Sequence, residues 1–228
     1  MQSGMATSPS AVLQRSMQQV YLWMTAGLLL TGAISTGLMG NAGVLALIMN
    51  PFVFFGLFIV QLVIVVGLGA MVHKLSPMMA TMIFLGYAAI NGIIFTPLFL
   101  AYTAESIAST FFTTAGTFAA MAIYGATTKR DLTKMGSMLM MALFGLIIAT
   151  LVNVFLQNSL FNLVISIVGV IIFVGLTAYD VQKLTRMSQQ FQSEDDMQRF
   201  AIIGALTLYL DFINLFVYLL RLLGVRRD

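Results

Sequence analysis

The sequence predicts an all-α membrane protein with seven transmembrane helices. Three observations carry that prediction. Of the 228 residues 60% are hydrophobic and 8% charged, and the mean hydropathy is +0.97, whereas soluble domains carry about 25% charged residues. Seven apolar runs approach or exceed the ~20 residues that cross a hydrocarbon core. Nearly all charges sit in the short gaps between those runs.

In chain order the runs cover residues 20–39, 52–72, 78–100, 107–126, 135–155, 160–179 and 201–223. Residues 1–19 are polar and read as a cytoplasmic tail, with residues 20–228 as a single seven-helix membrane domain. The tail lacks a charged stub followed by a short apolar core, so no removable signal peptide is expected. Gly40-Asn41 and Asn50-Pro51 bracket a brief apolar stretch, Ser76-Pro77 follows the second run, and Gln157-Asn158-Ser159 follows the fifth. All are turn signals. Gaps this tight make an antiparallel bundle of sequential neighbours. The longest polar segment, 181–199, reads as a helical extension plus a surface loop. Small residues let helices approach in lipid, which nominates Gly67, Gly69, Gly86, Gly92, Ala142, Gly145 and Ala149 as packing contacts. Pro97 is expected to kink the third span. The 17 methionines are expected to fill gaps in the bundle. Gln61, Asn91 and Asn153 are expected to act as mid-span interhelical glue, and Glu105 as a solvated outer-loop residue.

Eight of the 11 Lys and Arg (Arg15, Lys74, Lys129, Arg130, Lys134, Lys183, Arg186 and Arg199) fall on one side of this layout. The positive-inside rule makes that side, and the amino terminus, cytoplasmic. Arg221, Arg226 and Arg227 end the chain. Either the last segment crosses and carries them outside, or it is re-entrant. Its 23-residue length suits crossing.

Composition also excludes. The chain has no cysteine and one histidine, His73, so disulfides, thiol chemistry and Cys- or His-cluster metal sites are out. The net charge of +3 contains no basic run suited to nucleic acid. No nucleotide-binding loop, metalloprotease motif or nucleophile–base pair appears, so neither an enzyme nor a cofactor is expected. An intramembrane aspartyl protease also uses two aspartates. Here Val181 follows Asp180 and Phe212 follows Asp211, without the glycine context such enzymes need.

Those two aspartates carry the functional signal. A charged side chain at mid-membrane costs about 2.5 kcal/mol or more and marks function by default. In the seventh run Thr207, Asp211, Asn214, Tyr218 and Arg221 recur at steps of four and three, a single helical face, so this helix belongs inside the bundle. The sixth run ends in a shorter stripe, Phe173, Thr177 and Asp180. Both aspartates approach from the cytoplasmic side. They meet only if the seventh helix begins well inside the cytoplasm or the sixth extends past Lys183. Two carboxylates in a low-dielectric pocket cannot both ionise cheaply, so a pair that meets shares a proton. Such a pair clamps two helices when singly protonated. Fully ionised, it repels or attracts cations, and so forms a pH-biased gate. The bland alternative is that each aspartate bonds a neighbour and stiffens the bundle. Tyr179, Tyr209, Thr177, Thr207 and Asn214 are the supporting polar candidates. Lys74, with His73 beside it, is a candidate cationic latch or a headgroup anchor.

GLTAYDVQKL (175–184) and LTLYLDFINLFVYLLRLLG (206–224) closely resemble the two signature segments of the Bax inhibitor-1 (transmembrane Bax inhibitor motif) family. YGATTKRDL (124–132), NGIIF (91–95) and the seven-span layout resemble a bacterial member. The resemblance covers 14–227. It implies two three-helix layers around a central carboxy-terminal helix, and a pH-sensitive calcium leak channel of the bacterial inner membrane. Asp180 and Asp211 are then the pH sensor and a weak metal transit site. It also implies a basic latch at the end of the second span, where His73-Lys74 stands in place of two arginines. Lys cannot make the bidentate contact of Arg. The competing function is a non-transporting regulatory membrane protein that binds other membrane proteins, such as a quality-control protease, through its tail and the 181–199 loop.

Overall fold

The computed structural model describes residues 9–71, 74–188 and 194–227. Among them eight helices run in the order α1 (Pro9–Leu38), α2 (Ala42–Ile48), α3 (Pro51–Met71), α4 (Pro77–Ala101), α5 (Ala104–Thr127), α6 (Thr133–Leu156), α7 (Ser159–Met187) and α8 (Glu194–Leu223). All but α2 are long and apolar enough to cross a membrane. The expected all-helical membrane fold is present.

Helix ends differ from the apolar runs. The span in α1 starts at Gln14 inside a helix that starts at Pro9, so part of the expected polar tail is helical. The brief stretch after the first span is α2, whose Asn41 side chain accepts from the Val44 amide at 3.1 Å. α7 runs on to Met187, and α8 begins at Glu194 rather than near 201. The cause is that hydropathy marks the edge of hydrocarbon, while backbone hydrogen bonding carries a helix on into polar residues. α4 continues through Pro97, which removes one backbone donor.

Two compact units divide the chain, one of Met1–Ile94 with Lys183–Leu206, the other of Phe95–Gln182 with Thr207–Asp228. The first is knitted by hydroxyls. Thr31 Oγ1 donates to the Ala88 carbonyl at 2.9 Å and Ser35 Oγ to the Gly92 carbonyl at 2.8 Å. Gly92 permits this crossing, since a Cβ there would stand 2.8 Å from the Thr31 carbonyl oxygen. Arg199 Nε donates to the Leu75 carbonyl at 2.8 Å, and Arg199 pairs with Asp196 at 3.0 Å.

In the second unit the α6–α7 turn places Gln157 in the left-handed region, at φ 49. Asn153, expected mid-span, is instead the lock of this turn. Its carbonyl accepts from Gln157 N and its side chain from Asn158 N. A left-handed non-glycine residue costs roughly 1–2 kcal/mol. Gln157→Gly should therefore leave stability unchanged or raise it slightly, as thermal unfolding in detergent would register. After α8, Val225 N donates to Ser106 Oγ at 2.8 Å, and Thr103 N and Arg227 N donate to the Val225 and Ala101 carbonyls at 3.0 Å. The chain end is thus held at the α4–α5 turn, and the Arg226 guanidinium lies over the Tyr102 ring. Glu105 is exposed in the first turn of α5, where the helix dipole favours an acid.

Burial is uneven. In α8, 72% of the apolar window is buried, against 6% in α6, which matches the interior position expected from its polar stripe. Two packing expectations fail. Gly67, Gly69, Gly86 and Gly145 have no atom within 4 Å of an added Cβ, and Ala142 is exposed, so these small residues lie on outward surfaces. Most methionines do not fill gaps either: Met78, Met79, Met82, Met138 and Met141 all point outward. The reason is common to both. Lipid accepts apolar and small side chains as readily as a protein core does, so composition cannot tell the inward face from the outward one.

Candidate functional site

The site lies in the second unit, on α7 and α8. Asp211 is 4% exposed, and its Oδ2 is buried without a hydrogen-bond partner among the described residues. The Asp180 carboxyl, half-buried on α7, is its hydrogen-bonding and electrostatic neighbour. The meeting that the sequence left conditional therefore occurs. Both geometric conditions hold: α7 passes Lys183, and α8 begins 17 residues before Asp211, about 25 Å along the axis.

Apolar packing surrounds the neighbouring residues of α8. The Phe212 ring meets Phe111 and Phe118 of α5 at centroid distances of 5.4 and 5.6 Å. Further along α8, Tyr218 stacks on Phe173 at 5.9 Å over Gly169, where a Cβ would lie 2.7 Å from the ring. Arg221 lies over the Tyr218 ring. The outer part of the stripe is thus aromatic packing with a cation on top, not a run of hydrogen bonds.

The predicted supporting residues separate into two groups. Thr177 Oγ1 donates to the Phe173 carbonyl at 2.7 Å, and Asn214 Nδ2 to the Leu210 carbonyl at 2.8 Å. Both donors thus serve their own helices. Tyr209 is fully buried, while Thr207 and Tyr179 are half-buried. Lys74 is exposed and belongs to the first unit. His73 lies outside the described residues.

Sequence reasoning missed how residues 178–182 are held. Gly125, at the end of α5, lies against the Ala178 carbonyl, and Gly136, at the start of α6, lies under the Tyr179 ring. Gln182 Oε1 accepts from Leu132 N at 3.0 Å and its Nε2 donates to the Arg130 carbonyl at 2.8 Å. The available signal was Gly125 in YGATTKRDL and Gln182 in GLTAYDVQKL, a small residue and an amide near helix ends within two of the segments that carry the resemblance.

The family described as Inhibitor of apoptosis-promoting Bax1 matches residues 13–228. The chain belongs to this family. Among its relatives, Inner membrane protein YbhL of Escherichia coli is 50% identical, over 96% of this chain and 95% of its own. A protein of Borreliella burgdorferi is 43% identical over 95% and 94% of the two chains, and one of Deinococcus radiodurans 40% over 93% and 90%. The Bax inhibitor match takes in all the residues that build the site.

Proposed function

We propose that this Bax inhibitor family protein is a pH-sensitive cation leak channel, with calcium as cargo, in a bacterial inner membrane. The single observation that supports the reading most is the meeting of half-buried Asp180 with buried Asp211. An ionised carboxylate can only accept hydrogen bonds. Two carboxyls in hydrogen-bonding contact therefore need at least one proton between them. Losing it puts two like charges side by side in low dielectric, which drives α7 and α8 apart or draws in a cation. Calcium prefers six to eight oxygen ligands. Two carboxylates with a few amides and hydroxyls make a weak stopping point, which suits permeation. No catalytic step is proposed for the site.

The naming of the Escherichia coli relative supports inner-membrane residence. The basic residues support a cytoplasmic amino terminus. α8 is continuous to Leu223, and the chain end pairs with the α4–α5 turn, so in this orientation the carboxy terminus is outside. In the cysteine-free chain, Arg227→Cys should react with an impermeant thiol reagent from the outer face, and Lys129→Cys only after permeabilisation. The reverse pattern would overturn the orientation. Transport is tested with purified protein in liposomes carrying a calcium reporter: a calcium leak that changes with pH is expected. Silent liposomes, with a stoichiometric membrane partner recovered by crosslinking, would favour a regulatory partner instead.

A further inference from the structure

We propose that Gln182 is a positioning residue for the aspartate pair, tying the basic α5–α6 connection to α7 so that the two move together. The proposal rests on the leak-channel reading for its transport consequence, but its structural half stands alone. Gln182 is 6% exposed, and both ends of its amide are engaged by backbone of one short connection: Leu132 N donates to it and the Arg130 carbonyl accepts from it. A buried amide with both groups satisfied is specific, because loss of either bond strands a partner. Nothing in the aspartate chemistry uses this residue, although it lies two positions from Asp180.

Helical geometry explains why the tie matters. At 100° per residue, Ala178, Tyr179 and Gln182 share one face of α7, and Asp180 points about 150° away from the middle of that face. The α5–α6 hairpin grips that face at all three positions, through Gly125, Gly136 and the Arg130–Leu132 backbone. Asp180 faces the other way, toward Asp211 on α8. When the carboxyls separate, α7 must turn or slide, and it cannot do so without moving the hairpin or breaking the Gln182 bonds. The connection is thus the cytoplasmic reporter of the pair's state. The charged and titratable groups on the elements around this segment are Tyr124 on α5, Lys129, Arg130 and Asp131 in the connection, Lys134 on α6, Tyr179, Lys183 and Arg186 on α7, and Tyr209 and Asp211 on α8. Of these Asp131, just ahead of α6, accepts from the Thr133 amide and hydroxyl. The aspartate pair, whose Asp180 lies two residues from Gln182 and meets Asp211, is the group whose protonation the tie transmits.

Hydrogen exchange of the full-length protein in liposomes, followed across neutral to mildly acidic pH, tests the structural half without any transport. In Gln182→Ala the Leu132 amide should lose protection about tenfold or more, as expected when a buried donor loses its partner. Gln182→Glu keeps the acceptor, so Leu132 should stay protected while the end at Arg130 loosens once the new carboxyl ionises. In the unsubstituted protein, protection of the connection should change with pH, and Asp180→Asn should abolish that change. The calcium leak should follow, with its pH midpoint displaced in Gln182→Ala and less so in Gln182→Glu. Unchanged Leu132 exchange in Gln182→Ala would overturn the proposal. So would a loosened connection with a leak profile that superimposes on that of the unsubstituted protein, since Gln182 would then be structural only. If the unsubstituted protein passes no calcium, yet its connection still responds to pH through Asp180, the tie stands and the transport reading falls.

Discussion

Asp211→Asn is expected to flatten the pH response of calcium leakage, and Asp180→Asn to do the same. Asn is the neutral isostere of a protonated aspartic acid. It preserves shape and hydrogen bonding but can never become an anion, so the doubly ionised state that separates α7 from α8 is unreachable. Coupling free energies between sites run about 1–3 kcal/mol, or roughly 5–150-fold, and the ratio of leak rates across the response should fall by a factor in that range. Asp211→Leu sharpens the reading. Apolar replacement of a buried ionic group is often neutral or stabilising by about 1–4 kcal/mol, so this variant should fold at least as well while its pH response is lost. If the aspartates only stiffened the bundle, the Asn variants would respond to pH as before and the Leu variant would unfold more readily. Flux against pH and thermal unfolding, measured on the same preparations, separate the two outcomes.

Gly125→Ala is expected to be the most disruptive single-methyl change in the second unit. A Cβ at 125 would overlap the Ala178 carbonyl oxygen and crowd its Cα. The obstacle is backbone, not the tip of a flexible side chain. Overpacking costs about 1–3 kcal/mol and occasionally more, and here α5 and α7 must separate to relieve it. The variant should unfold several degrees lower in detergent. Because Ala178 lies two residues from Asp180, whatever protein folds should also show a distorted pH response. Gly145→Ala is the matched control, since an added Cβ there meets nothing within 4 Å. Equal unfolding temperatures for the two variants would mean that the approach of α5 to α7 is looser than described.

Much of this protein was legible in its sequence because lipid is a severe filter. With 8% of residues charged, each charge is either in a gap or conspicuous, so the spans, the aspartates and the inward placement of α8 all follow from a few residues. Helix ends were less legible, because Lys183 and Arg186 lie outside the apolar run yet inside α7. α2 was passed over because seven residues are too few to show a period. The inward faces of α5 and α6 were hidden for a different reason: Gly145, with nothing within 4 Å of an added Cβ, and Gly125, against a backbone carbonyl, are the same residue in comparable apolar settings, and only the partner differs. Gln182 was invisible as a tie because a glutamine at the polar end of a span looks solvated. Its partners lie 50 and 52 residues away in sequence.

The central claim is a proton held between Asp180 and Asp211. Isotope-edited infrared spectroscopy of the aspartate side chains, recorded on the reconstituted protein as pH is varied, tests it most directly. A carboxylic-acid band persisting well above the pH at which exposed aspartates ionise, and vanishing in both Asp180→Asn and Asp211→Asn, is the predicted result. Spectra in which both side chains are carboxylates throughout, as for any acid in water, would contradict it.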